Sequence, residues 1–244
     1  NALYCLRNLK ISFCFGKIDY PLLKEILGYS FFIFLGVIVD QINWNTGQII
    51  LGAVSGTAAV AIFAIAIQFV RLYLQFSTSI SGLFLPRVSM MVAKNASNEE
   101  LSNMMIKLGR IQYIIIAFIL CGFTLFGYEF IGIWAGDSYQ NAYYMALIIM
   151  IPITIPLIQN IGLSILQAKN LQGFRSIVLI LIALTNIAIS IPLALRYEGV
   201  GVALGTGISY LLGNAIVMNI YYHRKIGINI PVFWKNIIIM SNPI

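Results

Sequence analysis

The chain has 244 residues, 60% of them hydrophobic and only 9% charged, where a soluble domain carries about a quarter charged residues. Its net charge of +7 comes from 15 Lys and Arg against 8 Asp and Glu. The basic residues flank long apolar stretches instead of forming a stripe of their own, which excludes nucleic acid as a partner. They point instead to membrane lipids, where each basic residue near an anionic surface is worth about 1 kcal/mol.

Residues 1–25 form a basic leader with Arg7, Lys10, Lys17 and Lys24 near one face of a surface helix that Gly16 and Pro21 interrupt. Six apolar spans follow, at 26–50, 58–80, 111–133, 143–166, 177–195 and 202–222. Each has the ~20 residues with which an α-helix crosses a bilayer. The expected fold is therefore an all-α integral membrane protein with a six-helix transmembrane bundle over 26–222.

The connections carry the orientation signal. Thirteen of the fifteen basic residues lie in the leader, the second and fourth connections and the tail; Arg196 is alone on the other side, and Arg71 lies inside a span. By the positive-inside rule, the leader and tail face the cytoplasm. Tyr20, Tyr29, Tyr221, Tyr222 and Trp234 fall at the inner interface, and Trp44, Trp134, Tyr139 and Tyr197 at the outer one. The outer connections 51–57, 134–142 and 196–201 are short, so the spans are expected as three antiparallel hairpins in series.

Ser97 followed by Glu100 is a capping-box pattern, so the third helix is expected to begin outside the bilayer and run into it. Pro152, Pro156 and Pro192 lie inside the fourth and fifth spans, as fixed kinks or as bends that change between states. Gly201 with Gly205, and Ala203 with Gly207, give small faces for close helix packing. Residues 223–244 form a tail and the start of a further helix, which reads as one piece of a longer protein.

Two polar stripes carry the chemistry. Gly36, Asp40, Asn43 and Gly47 share one face of the first span; Gln68, Arg71, Gln75, Thr78 and Gly82 share one face of the second. An Asp or Arg at the centre of a membrane helix costs roughly 2.5–3.5 kcal/mol, so both faces require protein or water. Either Asp40 and Arg71 form a buried structural ion pair, or both line a water-filled cavity for a charged, hydrogen-bonding solute. The favoured assignment gives Arg71, Gln68, Gln75, Asn43, Thr78, Arg87 and Asn160 to substrate and Asp40 to coupling. Asn160, Ser164 and Gln167 form a weaker polar face, and Asn186 and Ser190 suit ordinary interhelical hydrogen bonding.

Catalysis has no candidates. HExxH, GxSxG, paired carboxylates and a Ser/His/Asp set are all missing from the sequence. Cys5, Cys14 and Cys121 are widely spaced and His223 is the single histidine, so neither a metal site nor a cofactor is expected.

Six stretches are similar to a known family. They are residues 40–45 (DQINWN) with 50–57 (ILGAVSGT), 84–87 (FLPR), 155–161 (IPLIQNI) with 165–170 (ILQAKN), and 199–206 (GVGVALGT). Together they resemble the Wzx-type oligosaccharide-lipid flippases of bacterial polysaccharide synthesis, relatives of the MATE antiporters and the lipid II flippase. The resemblance implies twelve to fourteen helices in two six-helix bundles, with 1–25 as the linker and the six spans as the second bundle. Gly47 departs from the pattern, since an acid often stands at that position.

The resemblance further implies translocation of undecaprenyl-pyrophosphate-linked oligosaccharide repeat units across the bacterial inner membrane by alternating access, without catalysis. Arg71 would attract the pyrophosphate, Arg87 would recruit it, Gln68, Gln75 and Asn43 would bond to sugar, and Asp40 would exchange a proton or cation. Implied partners are the lipid-linked oligosaccharide, membrane lipids, the N-terminal six-helix half, and polymerase or chain-length proteins. A MATE-type drug antiporter and a non-transporting scaffold of a polysaccharide assembly complex are the alternatives.

Overall fold

The computed structural model describes residues 20–241, save the side chains of Glu25, Tyr29, Phe32 and Asp40; the leader before Tyr20 lies outside the described residues. Every regular element among them is helical. Helix α1 spans Tyr20–Val54, α2 Gly56–Ala93 and α3 Asn98–Ala135. A 3₁₀ turn at Asp137–Tyr139 leads into α4, Ala142–Ile158, and α5, Asn160–Ala168. Helix α6 spans Gln172–Tyr210, and π-helical turns at Leu211–Met218 and Tyr222–Ile226 flank the short α7, Asn219–Tyr221. Helix α8 is Ile230–Ser241.

Four of the six predicted spans each fall inside one helix; the fourth runs across α4 and α5, and the sixth across the end of α6, α7 and the π-helical turns. Five helices are long and apolar enough to cross a membrane, the last being the continuous stretch Gln172–Ile226. That stretch is a hairpin, because Glu198 adopts φ 49° and ψ −127° and reverses the chain. Its arms, 172–197 and 199–210, run antiparallel: Thr206 bonds to Asn186, and the Phe174 and Tyr221 rings stack at 3.8 Å where the hairpin opens. The described residues therefore supply six apolar passes of a multi-pass membrane protein.

The turns follow from local chemistry. Gly56 takes φ 81° and lets α1 and α2 meet at a sharp corner, a conformation open to glycine at little cost. The capping box of α3 is complete: the Glu100 N–H donates to Ser97 Oγ (3.2 Å), and the Ser97 N–H donates to the Glu100 carboxylate (2.8 Å). Pro21 sits in the first turn of α1, a position where proline's missing N–H costs nothing. Pro192 lies inside the first arm of α6 without interrupting it.

Helix α4 is the centre of the bundle, packed against α2, α3 and α6. Its Ala142, Ala146, Ile149 and Ile153 are fully buried. Small residues allow the closest approaches. A Cβ on Gly201 would overlap the Leu193 carbonyl, and one on Gly205 would overlap Ser190 Oγ; Gly207 lies against the backbone of Ile148. Helix α8 packs against α3, where the Phe233 ring fills the space over Gly109.

Candidate functional site

The fourth span is broken. Gln159 leaves helical geometry (φ −100°, ψ 10°) three residues after Pro156, separating α4 from α5. In a low-dielectric interior the freed carbonyls need donors from elsewhere. Ser77 on α2 donates to the Leu157 carbonyl at 2.7 Å. Gln112 on α3 donates to the Leu157 and Ile158 carbonyls at 3.2 Å each and accepts from Ser81 Oγ at 2.6 Å. Asn160 donates to Ser77 Oγ, and Gln159 to Asn219 Oδ1 at 2.6 Å. The break is thus held open by side chains from three neighbouring helices.

Beside it is a cavity of about 250 Å³. Its polar wall includes Thr78, Asn160, Arg175, Tyr210 and Asn214, and its apolar wall includes Trp44 and Pro156. Asn214 projects from the π-helical turn after α6; such widened turns recur at functional sites. Arg175 is the one charged group among the described lining residues, placed by the opening turn of α6.

The second span's stripe reaches this cavity at one end. Thr78 lines it, whereas Gln68, Arg71 and Gln75 are exposed on the adjoining flank of α2. At 3.6 residues per turn they lie roughly two fifths of a turn from the packed face, Phe63, Val70, Tyr73 and Ser77. They lie nearer, about a quarter of a turn, to the exposed apolar face, Leu72, Phe76 and Leu83. Helix α2 thus has three faces. Arg71 makes no hydrogen bond or ion pair with any described residue.

The first span's stripe faces inward. Gly36 lies over Ser176 and Leu179, and Gly47 against Phe63 and Val202. Asn43 is 5% exposed and bonded on both sides: it donates to the Tyr210 hydroxyl at 3.1 Å and accepts from Asn186 Nδ2 at 2.8 Å. Ser190 and Thr206 hydroxyls donate to Asn186 Oδ1 at 2.7 and 3.3 Å, completing a buried network of α1 with both arms of α6. The coupling candidate Asp40 has its side chain outside the described residues.

Of the predicted site residues, then, the structure brings Thr78 and Asn160 together at one cavity and sets Arg71, Gln68 and Gln75 beside it. Asn43 stands behind the wall formed by its partner Tyr210. Arg87 is elsewhere: it lines a separate groove between α2 and α3. Trp44, expected at the outer interface, instead lines this cavity, and Arg175, Tyr210 and Asn214 had not been assigned to a site. Arg175 had a signal in being a basic residue two positions before the fifth span; the other three are scattered aromatic and amide residues without a shared period.

A family model described as "Polysaccharide biosynthesis protein" matches residues 3–144, more than half of the chain. No curated protein and no solved structure matches.

Proposed function

We propose that this chain, which belongs to the polysaccharide biosynthesis protein family, is part of a flippase that moves lipid-linked oligosaccharide repeat units, carried on undecaprenyl pyrophosphate, from the cytoplasmic to the outer leaflet. The observation that carries this reading is the third face of α2. Gln68, Arg71 and Gln75 are exposed but separate from the apolar exposed surface, and they continue into a polar-walled cavity at Thr78. An arginine facing lipid at that depth would cost roughly 2.5–3.5 kcal/mol, so the face is suited to an aqueous lumen between this bundle and a second one.

In this reading the guanidinium of Arg71, permanently charged and forked, attracts the pyrophosphate bidentately. Gln68 and Gln75, one turn to either side, present amides to sugar hydroxyls. Thr78 and Asn160 continue the polar path to Arg175. Asn43 acts at one remove, holding Tyr210 in the cavity wall. The broken α4–α5 span gives a hinge with its carbonyls already satisfied, as in transporters whose sites form at discontinuous helices. Asp40 remains the proposed exchanger of a proton or cation. The cavity wall supplies Arg175, with Arg71 exposed on the adjoining flank of α2 and no acid among the described lining residues, which favours an anionic solute over a cationic drug.

The test is Arg71→Ala in the complete protein at equal membrane abundance. The expected result is loss of surface polysaccharide with accumulation of lipid-linked repeat units. Normal polysaccharide overturns the headgroup role. Arg71→Lys separates charge from guanidinium geometry, with partial function expected.

A further inference from the structure

We infer that the groove between α2 and α3 at the basic end of the bundle binds the headgroup of an anionic phospholipid of the inner leaflet. This site is distinct from the central cavity, and the inference stands independently of the flippase proposal. The groove has a volume of about 450 Å³. Arg87 enters it from α2 and Lys107 from α3, over an apolar floor that includes Phe84, Met91, Met104 and Leu108. Neither cation has a hydrogen bond or ion pair with any described residue. Two unpaired cations above hydrocarbon fit a phosphate with an acyl chain beneath it. They suit a free anion poorly, because it would leave the floor uncovered.

Depth and direction agree with that occupant. Arg87 is seven residues beyond the end of the second span at Ile80, and Lys107 four before the start of the third at Ile111. At 1.5 Å per residue these are about 10 and 6 Å, the level of the headgroups flanking a ~30 Å hydrocarbon layer. Arg87 is sixteen residues after Arg71, which places the two roughly 160° apart around the helix. A ligand held by Arg87 in this groove is therefore not one held by Arg71. Lys107 also lines a second groove, of about 530 Å³, with Arg110. The Arg110 Nε donates to Met240 Sδ of α8 at 3.1 Å, so α3 presents a further basic rim beside the first. Glu100 at the opposite edge is held by the Ser97 N–H in the capping box and opposes an anion. Basic pockets between membrane helices on the cytoplasmic side are known to hold anionic headgroups.

Native mass spectrometry of the purified full chain, titrated with phosphatidylglycerol and with phosphatidylcholine, tests this. Phosphatidylglycerol should be retained preferentially. Arg87→Gln and Lys107→Gln should each weaken its retention about five-fold, since each removes one surface cation. Glu100→Gln, which keeps a capping acceptor, should strengthen it, and Arg196→Gln, beside the Glu198 reversal at the other end of the α6 hairpin, should leave it unchanged. Equal retention of the two lipids, or unchanged retention in both Arg87→Gln and Lys107→Gln, overturns the inference. So does displacement by inorganic phosphate at matching concentration, or tighter retention of a polyprenyl phosphate, because either names a different occupant.

Discussion

Asn186 on the first arm of α6 donates its amide to Asn43 Oδ1 on α1 across 2.8 Å, with both residues buried in the middle of the bundle. This contact ties the first pass to the fifth, and through Thr206 and Tyr210 to the sixth. Replacing Asn186 with Leu leaves the Asn43 oxygen and two hydroxyls without their partner. Interhelical hydrogen bonds in membranes average about 0.6 kcal/mol and reach about 1.7. With several lost together, Asn186→Leu should destabilise the chain by about 1–2 kcal/mol, read as a lower midpoint of thermal unfolding in detergent. Unchanged stability would show that the network contributes nothing net.

Close packing of the α6 hairpin gives a sharper contrast. Gly201→Ala places a methyl group in the Leu193 carbonyl, a backbone atom that cannot swing away. Gly122→Ala meets nothing within 4 Å. The first should sharply reduce the amount of folded protein extracted from membranes, and the second should leave it at the wild-type level. Immunoblots of detergent-soluble, monodisperse protein compare them.

Ser77 and Gln112 both donate to the Leu157 carbonyl at the break of the fourth span. Ser77→Ala and Gln112→Leu should therefore not be additive. Each single change leaves the other donor in place and should cost about 1 kcal/mol, whereas the double variant strips the carbonyl and should show a coupling energy of 0.5 kcal/mol or more. A double-mutant cycle on unfolding free energies measures it, and strict additivity would mean that the two side chains act separately.

The three faces of α2 predict a pattern of solvent access. In a background without native cysteines, Arg71→Cys and Gln75→Cys in the complete protein should react with a membrane-impermeant thiol reagent. Leu72→Cys and Phe76→Cys, on the apolar exposed face, should stay unmodified, and Tyr73→Cys on the packed face should do so as well. Equal protection at all five positions would remove the aqueous lumen from the proposed function.

Much of the architecture was legible beforehand because its causes are local. Span number, hairpin connectivity and the α3 capping box follow from hydropathy, loop length and residues three apart. Small residues at 201, 205 and 207 announced close packing before their partners Leu193, Ser190 and Ile148 were known. The site was less legible. Thr78 and Asn160 were recognisable as polar residues in apolar spans, but the wall they share also draws on Trp44, Arg175, Tyr210 and Asn214, contributed by α1, both arms of α6 and the π-helical turn. Such a wall has no sequence period.

A helix's own sequence fixes the phase of its polar residues relative to one another, because 3.6 residues per turn is set by the backbone. It does not fix how the helix is rotated against its neighbours. The two stripes looked equivalent in sequence, yet packing turned Asn43 inward against Tyr210 and Asn186 and left Arg71 outward. Phase alone separates Arg87 from Arg71 by nearly half a turn; only the position of α3 made that separation a groove shared with Lys107. Length and hydropathy settled how many times the chain crosses; interdigitation of side chains across helices settled which residues meet.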